Sequence, residues 1–268
     1  MLGVHKKTSN VAVLLDTGRH PIAVTAKIQA TKYFLRFSSL ENTKLLHTYH
    51  ESQKEKQTGP YMTYMVAMLD KIGLGNIWRD QLQESKEHTK SAVIIKNISQ
   101  RLKDISSQTI ISSLSSNSKL NFLKSLKTEH KIEPYLKIHN FQHRRAITKL
   151  RTSSHKLAIE VGRWEKVDRE NRICENCLLE KIEDEHHFLF ECHMHKQERL
   201  ILCEKLQNIK KIDVHDDRIF TKQVFQIFQT DDLASLNAVG KYIMNSLKRR
   251  ENTTLLTSPP NYSIYLNS

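Results

Sequence analysis

Glycine and proline are scarce in this chain: seven Gly and five Pro in 268 residues. So few breakers exclude a turn-rich all-β architecture and leave room for long helices. Long apolar runs are absent too. The longest, such as Val11 to Leu15, are about five residues, against the roughly 20 that a membrane helix needs. No membrane partner is therefore expected. The opening residues, MLGVHKKTSN, hold no apolar stretch of the kind a secretory signal carries. There are only four cysteines, and without secretory context they favour metal binding over disulfides. The chain is expected inside the cell, in nucleus or cytoplasm.

Motifs of chemistry are missing as well. There is no phosphate-cradling glycine loop, no Gly-x-Ser-x-Gly and no His-Glu-x-x-His. The acid pairs Asp216-Asp217 and Asp231-Asp232 read as helix N-terminal acids, which the helix dipole favours there. No catalysis and no small-molecule substrate are expected.

What the chain does have is a cluster. Cys174, Cys177, His187 and Cys192 read Cys-x2-Cys-x9-His-x4-Cys within RICENCLLEKIEDEHHFLFEC. Three thiolates and an imidazole complete the tetrahedron of a structural zinc ion, with no open position for a reacting water. Zn²⁺ is the expected cofactor. Spacing alone leaves His186 as an alternative to His187, with His193 and His195 further off. The acids Glu180, Glu183, Asp184 and Glu185 are candidates to orient a ligand imidazole from behind, but are expected as a solvated loop, and Cys203 as a small core residue. The run His187-Phe188-Leu189-Phe190 is expected to pack the metal loop against the helix that follows.

The chain is also strongly basic, with a net charge of +13. Residues 91–156 carry 13 Lys or Arg against three acids (Asp104, Glu129, Glu133), so most of the excess sits in a quarter of the length. A polyanion is the natural partner of such a stretch, RNA or DNA first. A long helix is expected from Pro134 to about Gly162. At 100° per residue, Ile147, Leu150, Ser154, Leu157 and Val161 share one face. Arg145, Lys149 and Lys156 lie opposite, and Arg144 and Arg151 fall on a flank. These five cations are the candidate phosphate contacts. Tyr135, Phe141 and Trp164 are aromatics that stack on bases in some proteins; each is expected in the core here.

The fold class read from this pattern is mostly α, with a small zinc-knuckle loop in the C-terminal half. Residues 1–103 form a helical N-terminal region. The serine-rich segment 104–118 is either a linker or a helix with a serine face. Residues 119–250 hold the basic helix, the metal loop and the C-terminal helices. Residues 251–268, with Pro259-Pro260, are expected as a disordered tail. Other helices are expected over Ile22–Phe37, Glu41–Lys56, Tyr61–Ile72, from Asn76 through Trp78 and Leu82, Met194–Lys210, Arg218–Gln229 and Asp232–Arg250.

Four stretches carry a resemblance: LGVHKKTSNVAVLLDTGRHPI, GLGNIW, KLRTSSHKLAIEVGRW and RICENCLLEKIEDEHHFLFEC. In this order they resemble the region downstream of the polymerase domain in LINE-type (non-LTR) retrotransposon proteins, as does Leu233 to Arg250. The resemblance implies that Cys174, Cys177, His187 and Cys192 are the zinc-knuckle positions, which favours His187 over His186. It implies a segment that helps to hold RNA or DNA, in a chain lacking the polymerase core and its catalytic aspartates. The family's acid and leucine before the first Gly-Arg are here Asp16 and Thr17. Two other readings stand beside this one: a helical protein-interaction module, and a retroelement remnant without function.

Overall fold

The computed structural model describes residues 2–38, 45–56, 59–77, 91–210 and 217–257. Among these residues the fold is mostly α, as the scarcity of breakers implies. No strand forms; one isolated antiparallel bridge joins Ile173 to Ile182. The helices are α1 (Asn10–Thr17), α2 (Ile22–Ser38), α3 (Leu45–Lys56), α4 (Pro60–Lys71), α5 (Ser91–Ser115), α6 (Asn121–Leu126), α7 (Phe141–Arg151), α8 (Ala158–Trp164), α9 (Lys196–Lys210), α10 (Asp217–Ile227) and α11 (Leu233–Thr257). The helix expected from Asn76 through Leu82 and the tail beyond Thr257 fall largely outside the described residues. Residues 251–257, expected in that tail, instead complete α11.

The chain divides into two compact units. One is Gly18–Ser113; the other joins Met1–Thr17 to Leu114–Ser268. Two expectations change. The serine-rich segment is helical rather than a loop, because α5 runs through it to Ser115, although the boundary between the units does fall within it, after Ser113. Its hydroxyls fold back onto the helix, as when Thr109 and Ser113 donate to the carbonyls four residues before them. The first 17 residues, grouped by sequence with the N-terminal region, belong to the C-terminal unit.

The Gly18–Ser113 unit buries Phe34 and Leu35 of α2, Met62, Met65, Met68 and Leu69 of α4, and Ile94, Ile98 and Leu102 of α5 in one cluster. In the other unit, α7 and α11 pack side by side over a core that includes Ile147, Leu150, Leu206, Val224, Leu236, Val239 and Ile243. Gly240 allows this approach. A Cβ there would stand 2.8 Å from His143 Cβ and 2.9 Å from the His143 carbonyl oxygen.

The expected long basic helix is broken. Asn140 starts α7 by accepting the amides of Gln142 and His143. The helix stops at Arg151, where Ser153 takes a left-handed backbone at φ 50°. The Ser153 amide then reaches Leu150 O and the Ser154 amide reaches Lys149 O, a Schellman ending. Serine is an uncommon choice at that position. Its hydroxyl bonds to Lys119 O at 3.0 Å and Glu185 Oε1 at 3.3 Å, which offsets the strain.

Beneath that ending lies a buried ionic cluster. Arg151 is 0% exposed. Its Nε and Nη2 donate to the two Asp16 carboxylate oxygens at 3.0 and 2.9 Å, and Nη2 also reaches Glu133 Oε2 at 2.9 Å. Lys127 pairs with the other Glu133 oxygen, and the Tyr135 hydroxyl donates to Asp16 at 2.8 Å. The Asp16 carbonyl accepts the Glu133 amide as well. These bonds fix α1 to the C-terminal unit.

Removing one member strands the others in a dry site. Arg151→Met and Asp16→Ala should each lower unfolding free energy by about 3–5 kcal/mol in urea titrations followed by circular dichroism. Arg151→Lys should restore little, since an ammonium cannot span two carboxylates as the guanidinium fork does. Gly240→Ala should cost about 1–2 kcal/mol in the same assay, because overpacking against the His143 backbone exceeds the gain in helix propensity.

Candidate metal centre and basic groove

The metal loop is built on a short antiparallel register. Cys174 N–H donates to Lys181 O, and Glu183 N–H to Arg172 O, at 2.8 and 2.9 Å. That pairing leaves Cys174-Glu175-Asn176-Cys177 as a tight turn at its head. The second pair comes from a π-helical turn over His187–Glu191, opened by Asp184, whose Oδ1 accepts the His187 amide at 2.9 Å. Cys192 N–H closes the turn onto His187 O. Residues five apart on an ordinary α-helix point about 140° away from each other; the wider turn brings His187 and Cys192 to one side.

The four ligand atoms of Cys174, Cys177, His187 and Cys192 lie within 4.8 Å of one another, a group that could hold a metal ion. The Cys174 and Cys192 sulfurs are 3.9 Å apart, and Cys177 Sγ is 3.4 Å from His187 Nε2. The edges of a zinc tetrahedron are about 3.8 Å between sulfurs and about 3.5 Å from sulfur to nitrogen. A disulfide needs about 2.05 Å, and all four cysteines are free thiols. His187 is 2% exposed and faces the sulfurs; His186 is half-exposed and lies against the Phe190 ring instead. His195 is buried edge-on to Phe188, and His193 is exposed. Cys203 sits at the edge of the hydrophobic core, outside the ligand group.

Three of the donors act strongly on one another. The bond with Cys192 and burial push the Cys174 thiol up to about 12, while that bond holds its partner Cys192 below the usual thiol range. Burial pulls the His187 imidazole down, but its bonds with Cys174 and Cys177 outweigh this and raise it to about 9. Cys174 and His187 thus retain protons that a metal would displace. His187 Nδ1 lies 3.3 Å from Glu191 Oε2, so a carboxylate orients the ring from behind. Burial would raise Glu191, yet its bonds with Lys181 and His187 keep it ionised below its usual range. Glu191 escaped the sequence reading, which looked for such a partner only among the acids before His187.

Two of those acids are not solvated, contrary to expectation. Glu183 is buried and pairs with both Arg250 Nε and Nη2. It also accepts the Ala158 amide at 2.5 Å on its side chain and the Ile159 amide at 3.1 Å on its carbonyl, so it caps α8. Glu185 is buried against His155 at 3.0 Å; burial raises its carboxyl, but that bond holds it below its usual range. Phe188 and Leu189 enter the core as expected, and Tyr242 of α11 donates to Leu189 O at 2.7 Å.

The five candidate phosphate contacts separate. Arg151 is excluded by its burial, because its guanidinium is spent on Asp16 and Glu133. Arg144 is half-buried; it donates to Ile138 O and covers the Phe141 ring at 5.8 Å. Arg145 and Lys149 lie one turn apart on α7. Lys156 is exposed in the loop after the helix, so no common helical face joins it to them. The fold nevertheless brings all three together, around a groove of about 350 Å³ with Gly3, Val4, His5 and Trp164.

No protein-family model, curated protein or solved structure matches the chain.

Metal analysis by native mass spectrometry should find one ion per chain, lost in Cys174→Ser and His187→Ala and retained in His186→Ala. Affinity should rise with pH up to about 9 and beyond, since binding releases the His187 imidazole and Cys174 thiol protons. Glu191→Gln should weaken it by about 10-fold.

Proposed function

We propose that the chain is a non-catalytic, zinc-stabilised module that binds RNA or DNA inside the cell, related to the C-terminal region of LINE-type retrotransposon proteins. The observation that carries the nucleic-acid reading is the convergence of Arg145, Lys149 and Lys156 on one groove, in a chain with thirteen excess positive charges. Soft thiolate donors in a tetrahedron favour zinc over the harder cations. A Cys3His set fills the coordination sphere, so the metal's role is to fix the loop rather than to activate water. The relation to the retrotransposon proteins rests on the four resembling stretches.

A specific observation also supports the protein-interaction reading. In the Gly18–Ser113 unit, Tyr33, Leu46, Tyr49, Tyr61 and Met62 line an apolar groove of about 400 Å³. Salt separates the two readings. Three phosphate contacts should make affinity for nucleic acid fall roughly 20- to 40-fold between 50 and 200 mM salt. Arg145→Gln, Lys149→Gln and Lys156→Gln should each lower the logarithmic salt slope by about one phosphate's share. Fluorescence anisotropy with labelled oligonucleotides measures both. Binding that ignores salt, or that survives the triple variant unchanged, would refute the nucleic-acid reading.

A further inference from the structure

The groove around Lys149 is longer than the three cations suggest. A second cavity of about 300 Å³ is lined by Phe141, Arg145, Ala146, Lys149, Met244 and Lys248, among others. It shares Arg145, Lys149, Leu247 and Glu251 with the first, so the two adjoin as one trough, end to end, between α7 and the end of α11. Phe141, Arg145 and Lys149 are spaced by four residues and make one ridge of α7, roughly 12 Å long, along its side. Its floor is apolar (Ala146, Met244, Leu247).

An aromatic ring stands at each end. Trp164, the last residue of α8, is 43% exposed, and Phe141, the first of α7, is 44% exposed. Both were expected in the core. The His5 ring lies 5.9 Å from the Trp164 ring, tilted by 30°, and is tied in place by its amide bond to Ser154 Oγ at 2.8 Å. Arg144 covers Phe141, which adds a guanidinium plane at that end. A duplex keeps its base faces stacked inside and offers only edges and phosphates, so it has no use for exposed rings beside a cationic row. An unpaired strand offers phosphates and free base faces together.

We infer that this trough binds single-stranded nucleic acid, with bases stacked on Trp164 and Phe141 and phosphates along Arg145, Lys149, Lys156 and Lys248. The inference rests on the nucleic-acid reading above and narrows it to unpaired strands. Glu251 is the acid in the trough and opposes the phosphates. The stacking faces do not distinguish ribose from deoxyribose.

The test uses the full chain with labelled oligo(U), oligo(dT) and a duplex, each roughly 12 nucleotides or base pairs long. Single strands should bind more tightly than the duplex. Trp164→Ala should weaken both single strands by roughly five- to hundred-fold, leaving duplex affinity and the salt slope unchanged. Phe141→Ala should act in the same direction, Trp164→Phe should retain most of the affinity, and Glu251→Gln should tighten binding. In a Trp78→Phe chain, where Trp164 is the sole indole, either strand should quench its fluorescence. Quenching by one strand alone would show which sugar the trough accepts. Equal loss on duplex and single strand in Trp164→Ala, or an unquenched indole with strand bound, would overturn the trough while leaving salt-dependent binding intact. No salt-dependent binding to any of the three would overturn both readings.

Discussion

The C-terminal unit is organised around one buried guanidinium. Arg151 closes α7 and has no solvent to neutralise it, so its charge is compensated by Asp16 and Glu133. The opposing charges keep it protonated despite full burial. Such a cluster contributes little net stability relative to apolar packing, but it is intolerant of partial loss and specifies geometry. Here it specifies that the first 17 residues return across the whole sequence to α7. The consequence reaches the surface. Gly3, Val4 and His5 form one wall of the basic groove, and they are placed by a chain segment whose anchor is Asp16. A cation that the sequence assigned to phosphate contact is thus what shapes the wall of the basic groove.

The metal loop shows a similar division between residues that face the centre and residues that hold it. Its sulfurs and imidazole come from two short turns with little packing of their own. The turns are fixed from outside: Glu191 orients His187, Phe188 and Leu189 are driven into the core, and Tyr242 bonds the Leu189 carbonyl. A donor set gathered within 4.8 Å, with two of its edges close to those of a tetrahedron, is therefore already assembled by the protein. A metal would add coordination energy without large rearrangement.

Much of this was legible in the sequence, and the failures have physical causes. The three cysteines of the ligand group, the helical class and the existence of α4, α10 and α11 follow from spacing and period, whereas the choice of His187 over His186 came from the resemblance. The break in the basic helix did not. Two helix ends show the same pair of Schellman bonds, and only one of them was readable. At Gly73 (φ 74°) the Gly73 and Leu74 amides reach Asp70 O and Leu69 O, and glycine announced it. At Ser153 the same bonds occur, but the left-handed residue carries a side chain whose stabilising partners, Lys119 and Glu185, are more than thirty residues away in sequence. Projection through that break placed Lys156 on a helical face it does not share. Burial of Arg151 was illegible for a related reason: its partner Asp16 lies 135 positions earlier, and nothing local marks a cation as interior. Trp164 and Phe141 were misplaced by the general expectation that large aromatics are buried.

Glu183 connects the metal loop to the trough. It sits between Cys177 and His187 in sequence, accepts two amides at the start of α8, and grips Arg250 of α11. Trp164 ends the short helix that Glu183 caps, and Leu247 and Glu251 flank the arginine that Glu183 holds. A helix of seven residues is too short to persist on its own hydrogen bonds, so its position depends on that cap. Order in the metal loop therefore transmits to both ends of the trough's far wall. The ridge of Phe141, Arg145 and Lys149 belongs to α7 and is fixed separately by the core and by Arg151. On this arrangement a metal has no need to reach the trough to matter for the proposed strand binding. It would hold Trp164 in place, while the row of Arg145 and Lys149 stands without it.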